Sequence, residues 1–107
     1  MGVEGWMEKL KPHYALATIK AAFADTSSLN RSFVSRQGAD ELDMDDAAVV
    51  AVIQGLSNAD FDKSMTSIAD RRIWQDVYKP RVEGRTLYVK FTLDARQAPF
   101  LISFKEA

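Results

Sequence analysis

The hydrophobic period of this chain changes once, near residue 57, and that change limits the fold more than any other feature. Before it, apolar residues recur at the spacing of one helical face. Leu16, Ile19, Ala22 and Phe23 form such a stripe within Tyr14–Phe23, with Pro12 just ahead, where a missing N–H costs nothing. A second stripe, Val49, Val52, Ile53 and Leu56, predicts a helix over Ala47–Leu56. Asp45 and Asp46 open it at the positive end of its dipole. Residues 26–31 read as a turn-rich connection, and 32–37 fit either a short strand or the start of a helix. After the change come four segments rich in aromatic and β-branched residues: Phe61–Ile68, Ile73–Lys79, Arg85–Asp94 and Pro99–Lys105. Lys79–Gly84 and Asp94–Ala98 predict hairpin connections between them. No helix-length segment separates these strands, so they are expected to pair as antiparallel neighbours. Helices first and a sheet second make an α+β chain.

Composition narrows the chemistry. A chain of 107 residues supports one domain with one core, and no repeat or low-complexity tract suggests another. Cysteine is absent, which removes disulfides, thiolate zinc sites and cysteine nucleophiles. His13 is the one histidine, so no histidine pair can bind a metal or relay protons, and surface or capping duty is expected of it. The acidic run Asp40–Asp46 lacks calcium-loop spacing and reads as a capped, solvated helix junction. No apolar run nears the roughly 18 residues of a membrane span, and the start lacks a secretory pattern. A cytoplasmic protein with no cofactor is the expectation.

The net charge of −1 conceals a split. Residues 1–62 hold ten acidic and five basic side chains, a balance of −5; residues 63–107 hold nine basic and five acidic ones, a balance of +4. Such asymmetry points to a polyanionic partner for the strand-rich half.

Strand alternation says which residues would meet it. Leu87, Val89, Phe91 and Leu93 point one way, and Tyr88, Lys90 and Thr92 the other. Phe100, Ile102 and Phe104 likewise oppose Leu101, Ser103 and Lys105. With the apolar sets under the helices, an open face remains with Tyr88, Lys90, Ser103 and Lys105, to which Lys63 and Gln75 add. Cations, a phenol and an amide without a carboxylate pair suit RNA cleavage by its own 2′-hydroxyl. That reaction needs a base, cations for the charge growing at phosphorus, and an acid for the leaving 5′-oxygen. Lysines beside Tyr88 are expected to lower its pKa. A solvated sheet face with ordinary surface lysines is the plainer reading, and spacing and residue type alone favour it. Met44, Met65, Phe61 and Phe104 read as core; Trp74 reads as packed, while Tyr78, beside Lys79 and Arg81, is a candidate to stack on a base.

One block settles on a family. Gly55-Leu56-Ser57, Asp60-Phe61 and Lys63-Ser64-Met65-Thr66 lead to Ile73-Trp74-Gln75-Asp76-Val77-Tyr78-Lys79-Pro80-Arg81. Leu87-Tyr88-Val89-Lys90 and Ser103-Phe104-Lys105-Glu106 follow. With Met7-Glu8-Lys9 and Pro12-His13, these stretches closely resemble the MqsR family of type II toxins over residues 7–106. The resemblance implies a RelE-like two-layer fold, with helices on one face of a twisted antiparallel sheet. It implies a metal-independent mRNA endoribonuclease that cuts at GC-containing triplets and blocks translation. It also implies a cognate antitoxin with a zinc-binding N-terminal part and a helix-turn-helix C-terminal part. The family's active-site positions fall on Lys63, Gln75, Tyr88 and Lys105; Arg72, Tyr78, Lys79, Arg81 and Lys90 are expected to contact the RNA.

Two departures stand out. Residues 1–6 precede the family's usual start, so they read as a short extension or Met7 as the native start. Asp62 stands where the family often has an aromatic residue, and strand alternation puts it on the face opposite Lys63. A non-catalytic module that grips RNA or an antitoxin, and a gyrase-poisoning toxin of the ParE type, are the alternatives.

Overall fold

The computed structural model describes residues 7–107, and the expected extension over 1–6 lies outside them. The helices are α1 (Leu16–Ala22), α2 (Phe33–Glu41) and α3 (Asp46–Gln54). The strands are β1 (Glu8–Lys9), β2 (Phe61–Thr66), β3 (Trp74–Tyr78), β4 (Arg81–Val82), β5 (Arg85–Leu93) and β6 (Pro99–Glu106). Every strand pairing is antiparallel, in the order β1-β2-β3-β5, with β6 along the other edge of β5 and β4 closing a hairpin onto β5. This is the α+β arrangement expected from the change of period. No helix among the described residues is long and apolar enough to cross a membrane.

The core lies between the helices and one sheet face. Ile19 and Phe23 of the first stripe and Val49, Ile53 and Leu56 of the second are buried against Tyr78, Leu87, Val89, Phe91, Leu101 and Phe104. Met44 and Phe61 pack at its margin. α3 begins where the acidic residues put it: the Asp45 carboxylate accepts a hydrogen bond from the Ala48 N–H, while Asp46 pairs with Arg31.

The ambiguous segment at 32–37 is the start of α2. Ser32 caps it, its hydroxyl accepting from the Ser35 N–H and donating to the Ile102 carbonyl of β6. The helix hid from periodicity because it buries small residues, Ser35, Gly38 and Ala39, and exposes Phe33 and Val34. Contact with β6 is close enough that a Cβ on Gly38 would lie 1.9 Å from the Phe104 carbonyl oxygen.

The opposite sheet edge is fastened by a buried carboxylate. Asp76 accepts from the backbone N–H groups of His13 and Tyr14 and, at 2.6 Å, from the Ser64 hydroxyl. Trp74 is packed, as expected: the His13 ring stacks on it with centroids 5.2 Å apart, and Lys9 Nζ lies 4.3 Å from its ring centre. These contacts hold the segment leading from β1 against β2 and β3, and so place Glu8. Met65, expected in the core, instead pairs across the strands with Glu8 and Gln75 on the open face.

Candidate functional site

Register assembles the open face in rows. Lys63 on β2 pairs with Val77 on β3, Val77 with Lys90 on β5, and Lys90 with Ser103 on β6. One step along β5, Tyr88 pairs with Lys105. Val77 is fully buried yet stands apart from the helix-side core. Its cross-strand neighbours on this face are Lys63 and Lys90, whose aliphatic stems are suited to cover it. An apolar side chain thus forms the floor on which the polar groups stand.

Tyr88 is the centre of the arrangement. Lys105 Nζ lies 5.3 Å and Lys90 Nζ 5.9 Å from its ring centre, both within reach of the ring's negative face. Burial raises the Tyr88 pKa; Lys63 pulls it down, and Asp62 adds to the rise. The expectation that lysines would lower it is therefore corrected, because desolvation of the phenolate outweighs the nearby positive charge. Lys90 moves the other way. Burial lowers its pKa first, then repulsion from Lys105 and from Lys63. The face accordingly holds a phenol that keeps its proton among three lysines.

Gln75 is half-buried on β3, in the row of Met65 and Glu8. Of the further residues expected to contact RNA, Lys79 and Arg81 are exposed beside the site. Lys79 Nζ is 3.7 Å from the Asp62 carboxylate, and the Arg81 guanidinium leans on Thr86 of its own hairpin. Arg72 lies exposed in the loop between β2 and β3, held to Asp70 at 3.0 Å. Tyr78 is corrected outright. It faces the core, is fully buried between Phe61 and Phe91, and cannot stack on a base. The expected position of Asp62 is corrected too: a bulge between Phe61 and Lys63 breaks the alternation, so its carboxylate reaches Lys79 and its charge reaches Tyr88.

Sequence reasoning missed Glu8. Its carboxylate stands 3.3 Å from Lys63 Nζ, placed there by a strand of only two residues, too short to announce itself by alternation. Among the described residues, no three His, Asp or Glu side chains converge as metal ligands do.

An α+β scaffold presenting cations and a protonated phenol on an open antiparallel sheet is equipped to hold a phosphodiester and move protons around it. Comparison with known proteins gives this class a family. The family model described as "Motility quorum-sensing regulator, toxin of MqsA" matches residues 11–106. The chain is also 39% identical over 100 residues to the mRNA interferase toxin MqsR of Escherichia coli strain K12, an alignment spanning 94% of this chain and 99% of that one. The chain belongs to the MqsR toxin family.

Proposed function

We propose that the protein is the toxin of a type II toxin–antitoxin pair, a cytoplasmic endoribonuclease that cuts mRNA at GC-containing triplets and so blocks translation. The observation that carries this reading is the set of three lysines around Tyr88, Lys63 and Lys90 in one cross-strand row and Lys105 in the next. Family membership and the name of the relative support it from outside the geometry.

The reaction needs one group to take a proton and one to give it. Lys90 takes the 2′-hydroxyl proton, and the 2′-oxygen attacks the adjacent phosphorus. Lys63 and Lys105 hold the charge that grows on the non-bridging oxygens. The P–O5′ bond breaks, and Tyr88 gives the leaving oxygen its proton, leaving a 2′,3′-cyclic phosphate and a 5′-hydroxyl. Gln75 orients the phosphate or its neighbouring base by hydrogen bonds. Lys79 and Arg81 contact the backbone and fix register without reading sequence. The reacting groups come from the RNA and from these side chains, so the scheme calls on no metal. The expected partner is an antitoxin with a zinc-binding N-terminal part and a helix-turn-helix C-terminal part.

The test is cleavage of an RNA containing GC triplets, in EDTA, by wild type, Tyr88→Phe and Lys105→Ala. Cyclic-phosphate ends from wild type and strong loss in both variants support the reading. Equal activity in all three removes the site assignment, and activity lost on adding EDTA removes the metal-free chemistry. RNA bound but left intact identifies a binding module instead. Altered DNA supercoiling with intact RNA identifies a gyrase poison.

A further inference from the structure

Glu8 is out of place on a face that binds a polyanion. It puts a negative charge 3.3 Å from Lys63 Nζ, where it works against phosphate binding. As a stabilising ion pair it contributes little, because both side chains keep about a third of their surface in water: 34% for Lys63 and 38% for Glu8. Beside the pair runs a groove of about 300 Å³, lined by Glu8, Lys63, Met65, Thr66 and Ile68. That is near the lower bound for a small-ligand site. Met65 and Ile68 give it apolar walls, and Ile68 is 79% exposed. Lys63 belongs both to this groove and to the phosphate row, so whatever fills the groove sits next to the scissile phosphate.

We propose that this groove is the subsite for a nucleobase flanking the scissile phosphate, and that the Glu8 carboxylate selects guanine there. The proposal rests on the ribonuclease reading above. An unpaired RNA base is read on its Watson–Crick edge while its faces lie against side chains. Met65 and Ile68 supply the faces, Met65 with a thioether that adapts to the ring. Glu8 supplies the reader. An ionised carboxylate only accepts hydrogen bonds, through two oxygens side by side. Guanine alone offers two adjacent donors on that edge, N1–H and the N2 amine. Cytosine and adenine offer one amine next to a ring nitrogen whose lone pair repels the carboxylate. Uracil offers one N–H between two carbonyls, which repel it likewise. Phosphate binding then draws Lys63 toward the backbone and leaves Glu8 free for the base, so the ion pair keeps both groups ordered until RNA arrives.

The experiment compares wild type and Glu8→Gln on single-stranded RNAs that differ only in the base beside the cleaved bond: guanine, adenine, cytosine, uracil, and inosine, which lacks the N2 amine. Wild type is expected to prefer guanine over inosine by about tenfold, within the range of a bidentate base contact. Glu8→Gln is expected to lose roughly 10–100-fold in kcat/KM on guanine, less on inosine, which keeps N1–H, and nothing on adenine, cytosine or uracil, so the distinction between guanine and inosine shrinks. Circular dichroism is expected to be unchanged, since Glu8 is exposed on an edge strand. A uniform loss on all five RNAs overturns the proposal and makes Glu8 a group that acts through Lys63 or on the 2′-hydroxyl. No loss on any overturns it as well. A wild type that cuts none of them overturns the ribonuclease reading, and this proposal with it; a wild type that cuts without preferring guanine overturns the proposal alone.

Discussion

Tyr78 on β3 and Tyr88 on β5 carry the same phenol on opposite faces of one sheet, and their surroundings set them to different work. Tyr78 is fully buried among Phe61 and Phe91, and its hydroxyl has no hydrogen-bond partner among the described residues. Burial, and then the charge of Asp76, push its pKa up to about 12. Tyr88 is half-buried between Lys90 and Lys105, where burial also raises its pKa but Lys63 opposes the rise. The phenol in the core is inert. The phenol on the open face keeps its proton at neutral pH and stands next to cations that can bring a phosphate to it. Side-chain chemistry is identical, so the difference lies in what each face offers as solvent and counter-charge.

That contrast is tested hardest by removing the Tyr88 hydroxyl. Tyr88→Phe and Lys105→Ala are each expected to lower the cleavage rate by about 10²–10³-fold, the size seen when one preorganised transition-state donor is lost. Both residues lie off the helix-side core, so thermal midpoints are expected to stay close to wild type. Retained activity in Tyr88→Phe would make the two tyrosines equivalent and dissolve the comparison.

Next in size is the partner proton acceptor. The Lys90 pKa falls below its usual 10.5, so its neutral fraction, and the cleavage rate, rise with pH through that displaced value. Lys90→Arg keeps the charge and cannot shed the proton. At mildly alkaline pH it is expected to lose roughly 10²-fold relative to wild type, with a flat pH–rate profile after subtraction of uncatalysed RNA hydrolysis. A rising profile in the variant would move the base elsewhere.

A substitution on the core side shows how far the two faces are independent. A Cβ at position 38 meets the Phe104 carbonyl oxygen at 1.9 Å and comes within 3.2 Å of Lys105 Cβ. Gly38→Ala is expected to cost about 2–3 kcal/mol, measured as a loss of denaturant midpoint at constant m, because the obstacle is backbone and must move. Moving β6 also moves Lys105, so activity is expected to fall more than the folded fraction accounts for. A fall in stability alone would show that Lys105 needs no exact placement from below.

How much of this could be read from residues alone depended on strand length and on what each face buries. β5 runs nine residues, long enough for alternation to separate Tyr88 and Lys90 from the core set. On β6 the alternation fails: the register shifts between the Lys90–Ser103 and Phe91–Leu101 pairs, so Leu101, expected on the open face, is buried with Phe104, while Phe100 and Ile102, expected under the helices, are only half-buried. β2 and β3 gave no such separation. Val77 is an apolar residue on the open face, Asp76 a charged residue on the buried face, and the bulge at Asp62 shifts the parity of everything before it. Tyr78 followed from that confusion. In a five-residue strand with mixed rows, its proximity to Lys79 and Arg81 suggested RNA, while its side chain pointed the other way. α2 was obscured for the opposite reason: its contact with β6 selects residues for smallness, which the hydrophobic pattern does not register. Glu8 is legible only through the fold, because Asp76, sixty-eight residues on, fastens the chain that carries it.

The smallest expected effect is the one that closes the comparison from the other side. Tyr78→Phe removes a hydroxyl that is buried without a partner, so at neutral pH it is expected to be neutral or to stabilise by up to about 1 kcal/mol. Cleavage activity is expected to be that of wild type, since Tyr78 touches nothing on the open face. The sign reverses nowhere with pH, but the gap grows. A group whose folded pKa is raised from 10 to about 12 contributes its full share of stability below pH 10 and loses it as pH climbs toward the folded value. Wild type therefore weakens relative to Tyr78→Phe as the unfolded chain ionises first, by about 1 kcal/mol near pH 11. Denaturant midpoints of the two proteins at pH 7 and pH 11 measure it. A gap that stays constant would mean that the core phenol meets water after all, and that the sheet's two faces differ less than their burial implies.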